Sequence, residues 1–234
     1  MKRVGVIGLG DMGSGLAKNL IKNGFETFGY DLLPARMKDL QELGGKPTGD
    51  IAEFAAIVDA LFIMVMNGNQ VKSILFGENG LIKLMPSGSA VILTATIRPK
   101  EAHEIGVLME GSGIHFIDTP VSGGYSGAQQ GTLTMIASAP ADILDKFKPV
   151  LLAVSGTIHQ VGTAAGMGQT VKACLQTLIG SIFSATFEAS VLAAKAGVDG
   201  QALYNVFSTS GAGCGCTNTA LENIIDRKFE GTGS

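Results

Sequence analysis

Residues suited to binding a phosphate group lie near the start of the chain. They have the spacing G-x-G-x-x-G and are Gly8, Leu9, Gly10, Asp11, Met12 and Gly13. A strand is predicted before them, over residues 3–8, and a helix after them, over residues 14–24, which is the context that this motif requires. Gly8 permits a tight turn, Gly10 lets a pyrophosphate approach the backbone, and Gly13 allows close packing of helix and strand. Because the N–H groups at the helix start attract a pyrophosphate, we predict a dinucleotide site.

Asp31 ends the second predicted strand, residues 25–31, and completes this unit. Its carboxylate can accept hydrogen bonds from both ribose hydroxyls and would repel a 2′-phosphate, so NAD is predicted in preference to NADP. Arg36, the one nearby cation, is predicted to lie on a solvated helix face. A glycine-rich turn in an unrelated α/β protein is the alternative interpretation of this segment.

Lys172 is the candidate for proton transfer. It lies about one turn into a helix predicted from residue 168 to about residue 196, and Gln176, four residues later, shares its face. The helix dipole and desolvation in a closed cleft would lower the pKa of the Lys172 amine, which makes it usable as a proton donor and acceptor. Gly166 and Gly168 are expected to let a cofactor or substrate approach the helix start. A solvated surface lysine is the alternative.

Three further loops follow predicted strands, at the edge where doubly wound sheets bind their ligands. They contain Met66 and Asn67, then Thr96, and then Ser122, Gly123 and Gly124. The last loop offers a hydroxyl and two accessible backbone N–H groups, which suits a carboxylate. Ordinary turn chemistry is the alternative for each loop taken alone.

The elements that would position these residues alternate between strand and helix as far as residue 162. Continuous apolar strands, such as the one predicted over residues 58–66, indicate a mainly parallel sheet covered on both faces. A helix is expected after Asp50, with Glu53 as its capping-box partner. The segment from Asp118 through Gly124 is predicted to be a loop.

The pattern changes after residue 162, where strand signals end and helices follow. We therefore predict an α/β fold, with a Rossmann-type doubly wound, mainly parallel sheet over residues 1–163 and an all-α domain over residues 164–234. In the long helix, small residues recur every four positions at Ser181, Ala185, Ala189 and Ala193. This stripe indicates either a packing face within the chain or a subunit interface.

Composition excludes several classes of function. A net charge of −3 without a basic run argues against a nucleic-acid partner. The three cysteines show no metal spacing, so no metal site is predicted, and reduced thiols in a cytoplasmic protein are expected. Residues 58–66 are too few to span a bilayer, and no membrane partner is expected. With 46% hydrophobic and 16% charged residues, the chain is expected to form a homodimer or homotetramer.

Four segments resemble the motifs of the β-hydroxyacid dehydrogenase family, in the family's order and spacing. They are GLGDMGSGLAKNLIKNG, TATIRP, DTPVSGGYSGAQQGTLTMIAS and GMGQTVKACLQ. Gln176 stands where most members carry Asn, which makes the chain most similar to the L-threonate dehydrogenase branch. The resemblance implies reversible, NAD-dependent oxidation of a small 3-hydroxy acid of the threonate or 3-hydroxyisobutyrate kind.

The resemblance also implies roles for individual residues. It implies a general acid/base at Lys172, contacts to the substrate carboxylate at Ser122, Gly123 and Gly124, and at Gln176 a bond to substrate hydroxyls or a role in orienting the lysine. It implies cofactor contacts at Met66, Asn67 and Thr96.

The chain departs from the family pattern in three places. Ala95 stands where members usually carry Ser, and residues 211–219 lack an aromatic residue that is often found there. The sequence also ends before the family's K-D-L segment, so a shortened helical domain is expected. Two alternatives to the leading function remain. One is a semialdehyde or glyoxylate-type reductase of the same family, and the other is a non-catalytic, truncated dinucleotide-binding paralogue.

Overall fold

The computed structural model describes residues 2–229 of the 234-residue chain. The prediction of a shortened helical domain depends on the end of the chain, and residues 230–234 lie outside the described residues. Contacts divide the chain into two compact units, Met1–Lys172 and Ala173–Ser234. The dividing point lies inside a long helix and later than the predicted boundary at 163/164, because the start of that helix packs against the first unit.

Nine strands form one sheet in the first unit. They are β1 (Arg3–Ile7), β2 (Glu26–Tyr30), β3 (Lys46–Pro47), β4 (Ala60–Ile63), β5 (Ala90–Leu93), β6 (His115–Asp118), β7 (Val121–Ser122), β8 (Leu133–Ser138) and β9 (Ser155–Gly162). Their order is β3-β2-β1-β4-β5-β6-β8-β7, with β9 also paired to β8. Only β6 and β7 pair antiparallel, both with β8, so the predicted mainly parallel sheet is confirmed.

Ten α-helices and one short 3₁₀ helix, Leu81–Lys83, occur among residues 2–229. The α-helices are α1 (Asp11–Lys22), α2 (Pro34–Glu42), α3 (Ile51–Ala55), α4 (Gly68–Phe76), α5 (Pro99–Met109), α6 (Gly124–Gln130), α7 (Ala141–Leu152), α8 (Met167–Lys195), α9 (Gly200–Thr209) and α10 (Gly215–Ile225). The strand order reverses at β1, where connections leave towards β2 on one side and β4 on the other. Doubly wound sheets bind their ligands at the carboxyl ends of the strands beside such a reversal.

Alternation along the central strands builds two apolar cores, one on each face of the sheet. Val6, Phe62 and Ile92 point into one core, whereas Leu61 and Leu93 point into the other. Successive side chains of a strand face opposite ways, so a strand buried on both faces is apolar throughout. This explains the unbroken apolar run in β4.

The segment after β6 folds differently from the prediction of a loop. Val121–Ser122 forms a short strand against β8, and α6 begins immediately afterwards at Gly124. The backbone between them needs positive φ angles, +127° at Gly123 and +58° at Gly124, which glycine adopts without a steric penalty. Sequence pattern alone misses this turn because seven residues of helix carry too little periodicity.

The predicted capping box at α3 is also wrong in part. Asp50 does cap the helix, since its carboxylate accepts a hydrogen bond from the Ala52 N–H at 2.8 Å. However, the Glu53 carboxylate accepts from the Thr48 hydroxyl at 2.9 Å instead of from the Asp50 N–H. Thr48 competes for Glu53 because its own hydroxyl is already turned towards the helix start, where it accepts from Asp50 N–H at 3.2 Å.

The expectation of no membrane partner was based on residues 58–66, and the long helix α8 bears on it as well. Among residues 2–229 it is the single helix that is long and apolar enough to cross a membrane, with a mean hydropathy of 1.4 over its most apolar 18 residues. Length and composition are weak evidence for a span, since core helices of soluble proteins meet the same criteria. Most of its apolar side chains are exposed in the single chain, including Leu178, Phe187 and Leu192.

Asn19 links the helix of the glycine turn to the helix that follows Ser122. Its buried amide donates hydrogen bonds to the carbonyls of Gly15 and Ala128, each at 2.8 Å, and to that of Gln129 at 3.3 Å. We expect Asn19→Ala to lower the free energy of unfolding by about 1–3 kcal/mol, because buried carbonyls lose their donor. The measurement is urea unfolding followed by circular dichroism. Lys18→Ala, an exposed change on the same helix, is the control and should stay within about 0.5 kcal/mol of the wild type.

Candidate active site

The glycine turn between β1 and α1 is shaped by close backbone contacts. Gly8 has φ of +89°, and a Cβ atom there would overlap the carbonyl of Met64. A Cβ atom at Gly13 would overlap the carbonyl of Gly8. At Gly10 the nearest atoms to such a Cβ lie 3.7 Å away and belong to the end of the Arg36 side chain, so this backbone stays open to a ligand.

The start of α1 fits a pyrophosphate. No side chain caps the helix at Gly10, so the N–H groups of its first turn, at Asp11, Met12 and Gly13, have no side-chain acceptor from the cap residue. Such groups, together with the positive end of the helix dipole, favour an anion. The turn therefore fits the diphosphate of NAD, which can approach the backbone at Gly10, whereas Leu9 is buried and its N–H donates to Asp31.

Asp31 lies directly after β2 and is turned towards the glycine turn. Its side chain is 8% exposed, and one carboxylate oxygen accepts from the Leu9 N–H at 2.7 Å while the other accepts from the Leu33 N–H at 2.9 Å. Each carboxylate oxygen can accept a second hydrogen bond. The carboxylate is thus held in place by the backbone, and its remaining acceptor positions are shared with the Arg36 guanidinium, which donates to its two oxygens at 3.4 and 3.3 Å.

The prediction that Arg36 lies on a solvated face is only partly right, because its side chain is 42% exposed but turns its guanidinium to Asp31. Its guanidinium forms an ion pair with Asp31 at 3.3 Å and lies beside Gly10. The reason is the register of α2, which begins at Pro34 and turns its third residue back towards the end of β2. A cation is therefore present next to the carboxylate that is predicted to bind the ribose.

Met66, Asn67 and Thr96 lie at the same carboxyl edge. Met66 is largely exposed, two residues beyond the Met64 carbonyl that contacts the glycine turn. Asn67 caps α4 by accepting from the Gln70 N–H at 2.9 Å. Thr96 follows β5 and is exposed, between the buried residues Ala95 and Ile97. Exposed side chains at this edge are accessible to a cofactor, whereas the Asn67 amide oxygen already has a structural partner.

Ser122, Gly123 and Gly124 form the junction between β7 and α6. Ser122 is half-buried at the end of β7, and Gly123 is exposed. A Cβ atom at Gly123 would lie 3.3 Å from Leu133, so the glycine brings this turn close to β8. The junction offers a hydroxyl and backbone N–H groups in a short, tightly turned segment.

Lys172 is buried, which removes the alternative of a solvated surface lysine. It is 7% exposed and takes part in none of the salt bridges among residues 2–229. Burial lowers the pKa of the Lys172 ammonium below its ordinary value. A lysine with a lowered pKa can exchange a proton nearer to neutral pH, as a general acid/base must.

The prediction that Gly166 and Gly168 let a cofactor or substrate approach the start of α8 is wrong. A Cβ atom at Gly166 would lie 2.7 Å from the Pro99 carbonyl, and one at Gly168 would lie 2.6 Å from the Ile136 carbonyl. The chain's own backbone therefore occupies the space that was expected to admit a cofactor or substrate. These glycines instead allow the start of α8 to approach the edge of the sheet.

Two buried polar residues, Asp118 and Gln169, were not identified as site residues from the sequence. Gln169 is 1% exposed, and its amide donates to Asp118 at 2.9 Å and to the Ala95 carbonyl at 3.0 Å, and accepts from the Ile97 N–H at 3.0 Å. Asp118 is fully buried and also accepts from the Gly166 N–H at 2.8 Å. Burial raises the pKa of Asp118, and these donors oppose the rise. The available signal was an acidic residue at a strand end and an amide in a glycine-rich helix start.

Gln176 belongs to the second unit, on the part of α8 that follows Lys172, and is exposed. Its predicted contact with substrate hydroxyls stays a prediction. No group of three or more potential metal ligands occurs within residues 2–229.

Both parts of the chain match known protein families. Residues 3–162 match the NAD binding domain of 6-phosphogluconate dehydrogenase, and residues 166–234 match the NAD-binding domain family of NADP-dependent 3-hydroxyisobutyrate dehydrogenase. L-threonate dehydrogenase of Escherichia coli O6:H1 is 36% identical over 97% of this chain and 75% of its own length. Mitochondrial 3-hydroxyisobutyrate dehydrogenase of Mus musculus is 32% identical over 92% of this chain and 64% of its own.

A solved structure shows the same architecture. The crystal structure of 3-hydroxyisobutyrate dehydrogenase from Salmonella typhimurium matches with a TM-score of 0.86 and 35% identity, over 97% of this chain and 79% of that one. The glycine turn, Asp31 and the uncapped start of α1 fit the cofactor that these matches share. The chain therefore belongs to the NAD(P)-dependent β-hydroxyacid dehydrogenase family, as its motifs indicated, and is an NAD-binding oxidoreductase.

Proposed function

We propose that this enzyme oxidises a short 3-hydroxy acid of the threonate or 3-hydroxyisobutyrate kind, with Lys172 as the general acid/base. The observation that carries the proposal is the burial of Lys172 on a helix whose start is hydrogen-bonded to the carboxyl edge of the sheet. That edge also carries the cofactor turn and Ser122. The printed names of the threonate and hydroxyisobutyrate relatives support the substrate class.

Lys172 acts in both directions of the reaction. In oxidation, the neutral amine removes the proton of the substrate hydroxyl, and the carbinol carbon becomes a carbonyl. Bound NAD supplies the acceptor for the hydride that leaves this carbon. In reduction, the protonated Lys172 returns a proton to the oxygen.

The substrate carboxylate would be bound at the junction of β7 and α6. The Ser122 hydroxyl and the N–H groups of Gly123 and Gly124 are donors of the type that a carboxylate accepts. We propose that Gln176 bonds a substrate hydroxyl or orients Lys172. Thr96, Met66 and Asn67 are proposed to border the cofactor, since they lie at the same edge of the sheet.

Replacing Lys172 by alanine should abolish most of the turnover. We expect kcat for L-threonate or 3-hydroxyisobutyrate to fall by about 10²–10⁴-fold, because the general base is lost. NADH absorbance measures turnover, and calorimetric titration should show that NAD affinity is kept. Lys148→Ala, an exposed change on α7, is the control. Full turnover in Lys172→Ala would exclude the proposed role.

The proposed role of Lys172 also predicts the direction in which the oxidation and reduction rates change with pH. Because burial lowers the pKa of Lys172, the neutral base is present from a lower pH than for an ordinary lysine. The oxidation rate should fall as pH drops through this pKa, and the reduction rate should fall as pH rises through it.

We propose that NAD is preferred over NADP, because the Asp31 carboxylate would repel a 2′-phosphate. The neighbouring Arg36 limits this preference, since its guanidinium can attract the same phosphate. Asp31→Asn should reduce the ratio of kcat/KM for NAD over NADP by at least about tenfold, whereas Arg36→Ala should weaken NADP use and leave NAD use nearly unchanged. Steady-state kinetics with both cofactors measures this ratio. Comparable kcat/KM values for the two cofactors in the wild type would contradict the preference.

We propose that the enzyme is a cytoplasmic homodimer or homotetramer in which a second copy covers apolar side chains of α8. The exposed fractions of Leu178, Phe187 and Leu192 are 60%, 49% and 72% in the single chain. Large exposed apolar patches typically mark interfaces. Light scattering at micromolar concentration should give a multiple of 24.1 kDa, and Leu192→Glu should lower it. A wild-type monomer would contradict this proposal.

A further inference from the structure

The amide of Gln169 joins three segments that carry proposed site residues. Its Nε2 atom donates to the Ala95 carbonyl at 3.0 Å and its Oε1 atom accepts from the Ile97 N–H at 3.0 Å. These two backbone groups flank Thr96 on either side. The remaining Nε2 hydrogen goes to Asp118 at 2.9 Å, so both donors and the acceptor of the amide are used.

Asp118 extends this network to the start of α8. Its second carboxylate oxygen accepts from the Gly166 N–H at 2.8 Å and from the Gln169 N–H at 3.4 Å. Lys172 follows Gln169 by three residues and so lies on the same face of the helix, one turn further on. Ser122 follows Asp118 by four residues along the chain, through β7. One buried pair of side chains thus connects the segments of Thr96, Ser122 and Lys172.

We propose that Gln169 is a positioning residue that sets the distance between the Lys172 amine and the loop of Thr96. This inference rests on the proposed role of Lys172 and adds a residue to it. A displacement of about 1 Å between reacting groups can lower a rate by two orders of magnitude. The Gln169 side chain is hydrogen-bonded to the residues on both sides of Thr96 and to Asp118, which holds the start of α8. A change of this side chain would therefore shift Lys172 relative to the Thr96 loop.

An amide is the group that this position requires. A glutamate would place a second carboxylate against Asp118 and would lose the donor for the Ala95 carbonyl. An apolar side chain would remove the side-chain donor to one oxygen of Asp118 and the partners of the Ala95 carbonyl and the Ile97 N–H, in a buried place. An asparagine keeps the amide but is shorter by one methylene, so it cannot reach all three partners without moving the helix start.

The network also permits a reciprocal exchange. In Asp118→Asn/Gln169→Glu, the new amide of residue 118 can donate to the new carboxylate of residue 169, and its oxygen can still accept from Gly166. The Ile97 N–H also keeps an acceptor. The carboxylate oxygen that replaces Nε2 still faces the Ala95 carbonyl as a second acceptor, as it does in Gln169→Glu. The double variant removes the contact between two carboxylates at residues 118 and 169, so it should restore the part of the geometry that this contact destroys.

The experiment compares four proteins as full chains with the wild type. They are Gln169→Glu, the milder Gln169→Asn, the exchange variant, and Gln160→Leu as the control. Gln160 lies on β9 and is exposed, and its side-chain amide donates to the Ala139 carbonyl at 2.9 Å. All assays are run below the unfolding transition of each variant, and Gln169→Asn serves if Gln169→Glu does not fold.

Positioning has a specific kinetic signature. We expect kcat of Gln169→Glu to fall by about 10–100-fold with KM for NAD and hydroxy acid changed less than about threefold. The deuterium isotope effect on the carbinol hydrogen should rise, since chemistry becomes slower than product release. The exchange variant should regain at least about tenfold of the lost kcat. A fall no greater than that of Gln160→Leu, a loss confined to NAD affinity, or no recovery in the exchange variant would overturn the proposal.

A readout without turnover uses trace acetylation of the protein in the absence of cofactor. Lys172 is buried in the wild type and should label slowly, whereas exposed Lys148 should label quickly. Gln169→Glu should change the labelling rate of Lys172 alone, and the exchange variant should return it towards the wild-type rate. Unchanged labelling of Lys172 in Gln169→Glu would count against positioning.

The same assays separate this inference from the proposed function. If Lys172→Ala keeps full turnover, the acid/base role fails whatever the behaviour of Gln169. If Lys172→Ala is inactive and Gln169→Glu keeps wild-type kcat and labelling, only the positioning role fails.

Discussion

The buried carboxylate of Asp118 is the constraint on which the active-site arrangement depends. An acidic side chain with no exposure to water needs donors from the protein, and here they come from the start of α8 and from Gln169. If the start of α8 moved away from the sheet edge, the buried Asp118 carboxylate would lose its hydrogen-bond donors. Gly166 and Gly168 make this contact possible, because any side chain at these positions would collide with the backbone of the first unit.

The same contact explains the chemistry expected of Lys172. A helix start held against the sheet brings the lysine into a buried position at the edge where a doubly wound sheet binds its ligands. Burial without a salt-bridge partner lowers its pKa, and this is the property that proton transfer needs. The contact that fixes the start of α8 and the lowered pKa proposed to suit Lys172 for proton transfer thus have one physical origin.

The cofactor turn depends on a second set of close contacts, within the backbone itself. Gly8 approaches Met64, Gly13 approaches Gly8, and the Asn19 amide links α1 to α6 through the carbonyls of Ala128 and Gln129. The glycine turn at the start of α1 is therefore packed against α6, the helix that follows Ser122. Beside them, the ion pair of Asp31 and Arg36 places opposite charges where the adenine ribose is expected. Selection between NAD and NADP is then a balance between these two charges.

Local patterns in the sequence predict much of this protein. Continuous apolar runs predict the parallel strands, and the spacing of glycines between strand and helix predicts the turn of α1 and the family to which the chain belongs. Lys172 could be selected because it lies about one turn into a helix with a glycine-rich start and within a segment that resembles a family motif. These features are visible because each depends on residues that are close together along the chain.

Other features were decided only by the tertiary structure. The sequence placed Arg36 in solvent, missed β7 and α6, and gave no role to Gln169, whose partners at Ala95 and Asp118 are 74 and 51 residues away. A buried hydrogen bond between such distant residues depends on how the strands and helices pack, and periodicity carries no information about that. Local sequence thus determined the elements and the motif residues, while long-range packing decided which polar groups meet, because contact between them requires the folded chain.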